Sequence, residues 1–321
     1  MYRNPYLIYN PKAGRVVRSG GRLLQRSIEA LRAAGYPVTA LPTPGPETAG
    51  EMAHRCVRDG ADLVIAFGGD GTINEVANGL IHTGVPLAIL PGGTANVLAM
   101  ELRMGTDPVR AAGHLHSLVP VRVATGLLQG PNHPRSRHFV LMAGVGLDAY
   151  IVYHLNLQWK ARMGKLAYWL TGFSQVGKRI EEFDVVVDGK AYRAGFALCS
   201  RVRNYGGDLE IARGANLLSD DFETVLFQGE SVSRYLGYFA ALVAGRLNRT
   251  PGVTILRSRQ VEFGPPANPA VYMQVDGEGV GRPPASVSTV PDSLTLLVPD
   301  RFLQLARSWR AAQPVAVGRT A

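Results

Sequence analysis

Two glycine-bearing turns and a few carboxylates hold the chemistry-capable residues of this sequence. The first turn is Gly68-Gly69-Asp70-Gly71-Thr72. It follows the apolar run Val64-Ile65-Ala66-Phe67, which reads as a buried strand. It precedes Ile73, Val76, Ala77 and Leu80, which fall at helical spacing. A strand, a turn and a helix N-terminus in that order suit an anion, because free N–H groups and the helix dipole point at it. Glycine lets the backbone come close to such a ligand. Asp70 adds a carboxylate able to hold Mg²⁺ or to sense a ribose or a hydroxyl; a tight βα turn with an Asp cap would use the same residues. A second turn, Pro91-Gly92-Gly93-Thr94-Ala95-Asn96, follows the strand Val85–Leu90 one βαβ unit later and opens the helix Val97–Leu102. The pair favours a ligand site over the bare turn.

Other polar residues are ambiguous by themselves. Glu278 follows the alternating strand Val271–Val275 on a Gly-flanked turn and reads locally as an exposed hairpin carboxylate. Asp276 reads equally as a second functional carboxylate or a turn cap. Asp220 and Asp221, adjacent acids before a strand, read locally as a solvated turn. Lys12 and Arg15 suit phosphate charge or a solvated loop equally. Thr72 reads as a helix cap that can also meet a ligand. The histidines show no metal spacing; His114 and His116, two apart on a predicted helix, do not share a face.

The elements that position these residues alternate through the first part of the chain. Strands are expected at Tyr6–Tyr9, Val38–Leu41, Leu63–Phe67 and Val85–Leu90, with helices at Gly20–Gly35, Glu47–Gly60, Val97–Leu102 and Asp107–Leu118. This is the pattern of a parallel sheet covered by helices, whose ligands bind at the carboxyl ends of the strands. Asn10–Gly14, Thr43 and Gly68–Thr72 each follow a strand, so the three loops are expected at one edge. From about Val119 the texture becomes β-rich. Strands are expected at Val121–Ala124, Arg137–Ala143, Phe183–Val187, Tyr192–Leu198, Glu223–Phe227, Val253–Leu256, Gln260–Phe263, Val271–Val275 and Ser293–Val298. Their spacing suggests an antiparallel sandwich or barrel-like second domain. A helical insertion is expected at His154–Lys178, a last helix at Pro299–Ala312 and a frayed tail at Gln313–Ala321.

With 321 residues the chain is long enough for two domains. Its hydrophobic content of 46% describes a soluble globular protein, and no stretch reaches the ~20 apolar residues of a membrane span. The N-terminus runs almost directly into a strand, so no signal peptide is expected. Cys56 and Cys199 lack metal spacing and read as reduced core residues of a cytosolic protein. The net charge of +9 suits an anionic partner such as a nucleotide, a nucleic acid or acidic lipid. No nucleic-acid motif is visible. Trp159–Phe173 mixes Trp, Tyr and Leu with Lys160, Arg162 and Lys165, which suits a membrane interface or a core-packing helix.

In these residues the chain resembles the diacylglycerol kinase and sphingosine kinase family, in its bacterial soluble form. The likeness is carried by Asn10-Pro11-Lys12-Ala13-Gly14, Gly68–Glu75, Pro91–Asn96, Asn204-Tyr205-Gly206-Gly207, Asp220-Asp221 and Val275–Glu278, in the family's order. It implies an N-terminal three-layer α/β nucleotide-binding domain at 1–120, to which 299–321 returns, and a β-rich, sandwich-like acceptor domain at 121–298. It also implies a site in the cleft between them. By the resemblance, ATP contacts fall on Asn10, Pro11, Lys12, Ala13, Gly14, Thr43, Gly68, Gly69, Asp70, Gly71, Thr72, Ile73, Asn74 and Thr94. The catalytic carboxylate falls on Glu278, the leading metal-side carboxylate is Asp70, and a structural Mg²⁺ falls on Asp220 with the backbone oxygens of Leu217 and Phe222. Two departures stand out: Val97 where many members have Asp, and Asp-Asp-Phe where Asp-Gly is usual.

The function implied is an ATP- and Mg²⁺-dependent lipid kinase acting on a lipid hydroxyl, with diacylglycerol giving phosphatidic acid as the default. A cytoplasmic protein touching an anionic membrane surface peripherally is expected, with no nucleic-acid partner and with a homodimer left open. Alternatives are a kinase for a sphingoid base or another lipid, an NAD-kinase-like enzyme for a soluble acceptor, and a non-catalytic lipid- or nucleotide-binding relative.

Overall fold

Strands whose residues are all apolar and all buried must be covered on both faces, and Leu63–Gly68 and Leu87–Pro91 are of that kind. The computed structural model describes residues 2–147, 149, 179–205, 209–267 and 271–312. Contacts divide the chain into two compact units, one made of 1–125, 137–140 and 290–302, the other of 126–136, 141–289 and 303–321.

In the first unit the strands run in the order Thr39–Pro42, Pro5–Tyr9, Leu63–Gly68, Leu87–Pro91 and then the end of Ala285–Pro299, all parallel. Leu63–Gly68 and Leu87–Pro91 are buried at every position, as a sheet with helices on both faces requires. Arg22–Ala33 and Ala49–Arg58 bury one stripe each: Ser27, Ile28 and Leu31 on the first, Ala49, Met52, Ala53 and Cys56 on the second. Ala49–Arg58 crosses Asp70–Leu80 so closely that a Cβ on Gly79 would lie 2.1 Å from the Gly50 carbonyl oxygen. The crossing therefore needs glycine.

The second unit holds a six-stranded sheet in the order Val253–Ser258, Phe222–Phe227, Phe196–Ser200, Met142–Gly146, Met273–Val275, Glu278–Gly281, paired antiparallel throughout. A second antiparallel ladder joins the start of Ala285–Pro299 to Gln260–Phe263, Phe183–Val187 and Lys190–Ala194. The expected architecture, α/β followed by a β-sandwich-like domain, is the one observed.

Several element bounds differ from the sequence reading. The strand expected at 137–143 is two, His133–Phe139 and Met142–Gly146, the first beginning right after the turn Pro131-Asn132. The strand expected at 192–198 is also two, Lys190–Ala194 and Phe196–Ser200, which lie in different ladders. The chain switches sheets at Gly195, where a Cβ would lie 2.5 Å from the Tyr235 hydroxyl. The helix expected at 107–118 is Pro108–Gly113 plus a 3₁₀ turn Leu115–Ser117, with the Asp107 carboxylate capping its start. Both cysteines are buried free thiols, as read. Burial pushes their pKa values up, Cys56 to about 11 and Cys199 to about 12. The helix expected at 154–178, the tail 313–321 and the glycines at 206 and 207 lie outside the described residues.

Candidate active site

In the first unit, the carboxyl ends of four neighbouring parallel strands carry the first group of candidate residues. Asn10 follows Pro5–Tyr9, Thr43 follows Thr39–Pro42, Gly69 follows Leu63–Gly68 and Gly92 follows Leu87–Pro91. Backbone hydrogen bonds tie these ends together. The Asn10 N–H donates to the Phe67 carbonyl at 3.1 Å, and the Thr43 N–H donates to Tyr9 at 2.9 Å. Asn10 also folds its own loop, its side-chain oxygen accepting from the Lys12 N–H at 2.8 Å, while its amide nitrogen donates to the Thr72 hydroxyl at 3.4 Å.

The helix begins at Asp70, two residues earlier than its apolar periodicity indicates, so Asp70, Gly71 and Thr72 form its first turn. The N–H groups of such a turn have no intrahelical partner. The two glycine turns rest directly on each other. The Gly92 and Gly93 N–H groups both donate to the Gly68 carbonyl, at 2.8 and 3.1 Å. A Cβ on Gly93 would lie 2.5 Å from the Gly69 Cα. Asn96, with φ of 50°, closes the second turn: its side-chain oxygen accepts from the Gly93 N–H at 2.9 Å and its amide donates to the Gly93 carbonyl at 3.0 Å. Asp70 links the turns by accepting from the Leu98 N–H at 3.2 Å.

The residues around this cradle divide by what their side chains do. Lys12 and Thr94 are exposed. A Cβ on Gly14 would have both the Thr94 hydroxyl and the Arg18 guanidinium 3.7 Å away, so Arg18 stands at the same loop. Sequence reasoning missed it, although Arg18 lies one helical turn beyond Gly14. Arg15 is turned elsewhere: its guanidinium donates to the Pro91 and Thr106 carbonyls, holding the second turn from behind. Asn74 is buried. Its amide donates to the His138 carbonyl at 3.0 Å and its oxygen accepts from Arg137 at 3.1 Å. Glu75 caps Ala49–Arg58, accepting from the N–H groups of Glu47 and Ala49.

The candidate catalytic carboxylate lies in the second unit. Asp276 and Gly277, with φ of 49° and 84°, make the two-residue turn between Met273–Val275 and Glu278–Gly281. Positive φ at both positions is the hairpin turn that an Asp-Gly pair favours. Asp276 is buried and acts as the turn anchor: one oxygen accepts from the Leu141 and Met142 N–H groups, both at 2.9 Å. Gln274 accepts from the Gly277 N–H at 2.8 Å. Glu278, half-buried, is therefore the first residue of a fixed returning strand, directly opposite Val275.

The turn 217–222 bears the residues expected to hold a structural metal. Leu217 and Phe222 are buried and Asp220 is exposed. The Leu217 carbonyl accepts from the Arg201 guanidinium at 2.9 Å, and Asp221 pairs with Arg257. Among the described residues, no three or more His, Cys, Asp or Glu side chains gather as a metal site.

Comparison with known proteins gives the family and supports the fold. The family model described as "Diacylglycerol kinase catalytic domain" matches residues 4–126, and "YegS C-terminal NAD kinase beta sandwich-like domain" matches 142–298. The chain belongs to the diacylglycerol kinase family. It is 26% identical over 308 residues to a diacylglycerol kinase of Staphylococcus epidermidis, covering 93% of each chain. To a diacylglycerol kinase of Bacillus subtilis it is 24% identical over 299 residues, covering 91% of this chain and 95% of the other. A crystal structure of a diacylglycerol kinase from Bacillus anthracis str. Sterne shares the fold, with a TM-score of 0.73 at 21% identity over 92% of this chain and 97% of that one. A member of this family is a phosphotransferase with an alcohol acceptor, and at family level a lipid kinase. No described helix is long and apolar enough to cross a membrane.

Proposed function

We propose that the protein transfers the γ-phosphoryl group of ATP to the hydroxyl of a membrane lipid, with diacylglycerol as acceptor and phosphatidic acid as product. The observation that carries this reading is the cradle of interlocked glycine turns at the carboxyl ends of parallel strands. Phosphoryl transfer asks a protein mainly for positioning and charge neutralisation. The first-turn N–H groups at 70–72 are the donors for a triphosphate, with Asn10, Thr43 and Thr94 around them. Lys12 and Arg18 supply positive charge at the Asn10–Gly14 loop. Asp70 is the carboxylate that would hold Mg²⁺ arriving with the nucleotide, which shields the phosphate oxygens. Glu278 takes the proton of the acceptor hydroxyl as transfer proceeds, a role typically worth ~10²–10⁴-fold in rate.

Glu278→Gln tests the assignment. ATP binding by calorimetry is expected to persist while turnover disappears; retained turnover removes Glu278 from the role. Labelled ATP offered with a lipid extract and, separately, with NAD tests the acceptor class. Label is expected in lipid, and label in NADP would overturn the lipid reading.

A lipid acceptor requires contact with a bilayer, and the helix Val232–Val243 supports one. Tyr235, Tyr238 and Leu242 form its buried stripe, whereas Leu236 and Val243 are 41% and 59% exposed on another. The helix contains no acidic residue. Arg246 and Arg249, both exposed, follow its C-terminal end. We assign this face to an anionic lipid surface, the partner that exposed apolar residues with basic residues at the helix end fit.

A further inference from the structure

The family resemblance carries a resident Mg²⁺ into the turn 217–222, on the Leu217 and Phe222 carbonyls and the Asp220 carboxylate. The structure puts a different cation against that turn. Arg201 follows the strand Phe196–Ser200 and is fully buried, 0% exposed. Its Nη2 donates to the Leu217 carbonyl at 2.9 Å and to the Ser219 carbonyl at 2.8 Å, and its Nη1 donates to the Asp221 carbonyl at 3.2 Å. Three carbonyls of one tight turn thus converge on one guanidinium. Their lone pairs are the donors that a metal would need, and a planar fork of N–H groups is matched to such a cluster.

A second guanidinium completes the arrangement. Arg257 pairs in bidentate fashion with the Asp221 carboxylate and donates to the Gly214 carbonyl. Arg201 and Arg257 together bring the charge of one Mg²⁺, opposite the two carboxylates of Asp220 and Asp221. A dication added to the Leu217 carbonyl would sit within a few ångströms of the Arg201 guanidinium, and Asp220 and Asp221 already face the charge of Arg201 and Arg257, so a further two positive charges would go unbalanced. The exposed Asp220 side chain is left to solvent. The rest of the turn is tied by neutral groups: the Asn216 oxygen accepts from the Leu218 N–H at 2.9 Å, and its amide donates to the Ala306 carbonyl at 2.9 Å.

We propose that Arg201, with Arg257 beside it, occupies the place of the resident metal in the turn 217–222, so that this unit folds without a divalent cation. Magnesium then enters only with the nucleotide. The inference concerns a turn remote in sequence from the glycine turns and stands whether or not the acceptor is a lipid.

Thermal unfolding of the full chain without nucleotide, in EDTA and in millimolar Mg²⁺, reads this directly. The midpoint is expected to be the same in both, and protein dialysed against Mg²⁺ is expected to carry none by elemental analysis. A midpoint that drops several degrees in EDTA and returns with Mg²⁺, or stoichiometric Mg²⁺ retained after dialysis, overturns the proposal. Arg201→Asn frees the carbonyls. It is expected to lower the midpoint and to make it rise with Mg²⁺, with Arg201→Lys intermediate. An Arg201→Asn protein as stable as the parent would also overturn it. If that variant does not fold, the parent measurements still decide.

Discussion

Asp276 and Glu278 are two residues apart, and Asp276 anchors the turn from which Glu278, the proposed base, starts its strand. The Asp276 carboxylate satisfies two buried N–H groups, those of Leu141 and Met142. Asp276→Ala leaves both without that acceptor, which costs about 1–3 kcal/mol per buried group. Urea unfolding is expected to show the loss, and turnover is expected to fall with it because the turn preceding Glu278 loosens. Asp276→Asn keeps an accepting oxygen and is expected to restore most of both. His138 makes a second prediction at this scale. Burial, and then the neighbouring His82, lower its pKa to about 4 from 6.5. Its ring nitrogen meets the Thr125 hydroxyl at 2.8 Å, which in turn meets Ser293 at 2.8 Å. The folded state thus holds His138 neutral, so its stability contribution is present above pH 6.5 and is lost as pH falls toward 4. Melting midpoints measured across that window are expected to fall with acid, and His138→Gln is expected to flatten the slope.

At the scale of elements, the two glycine turns form one object. A Cβ on Gly93 would meet the Gly69 Cα at 2.5 Å and the Asn96 side-chain oxygen at 3.1 Å. The nearest of these atoms is backbone, which no side-chain rotation can move, so Gly93→Ala is expected to push the turns apart and abolish calorimetric ATP binding. Gly79→Ala strikes the helix crossing at Gly50 instead. It is expected to destabilise by about 1–3 kcal/mol, as overpacking does, in chemical unfolding. These turns were legible in the sequence because strand, glycines and helix are consecutive, and local chemistry dictates such a turn. The Asp-Gly hairpin before Glu278 was legible for the same reason. The sheet switch at Gly195 was not, because one stretch serves two ladders and groups distant in sequence, such as the Tyr235 hydroxyl, pack against Gly195 where it divides. The pairing of Asn74 with Arg137 and the hold of Arg201 on the turn 217–222 were equally hidden. Each joins residues far apart in sequence, and neither leaves a periodicity to read.

Across the whole molecule the charge is +9, and that excess matters only if it is presented where a bilayer can use it. The helix Val232–Val243 exposes Leu236 and Val243, and the exposed Arg246 and Arg249 follow its C-terminal end. Each basic residue held near an anionic surface contributes about 1 kcal/mol, and the attraction fades beyond a Debye length of about 8 Å at physiological salt. Apolar side chains alone would dock on any bilayer; arginines alone would release in moderate salt. The combination predicts binding to phosphatidylserine-containing vesicles that exceeds binding to neutral phosphatidylcholine and weakens, without vanishing, as salt rises. The double substitution Leu236→Ser with Val243→Ser removes the apolar part at two exposed positions, so the melting midpoint is expected to stay near that of the parent. Its flotation with anionic vesicles is expected to become fully salt-sensitive, and turnover of vesicle-borne acceptor to fall in proportion to the protein bound. Parent-like flotation of this variant at high salt would place the bilayer contact on another surface.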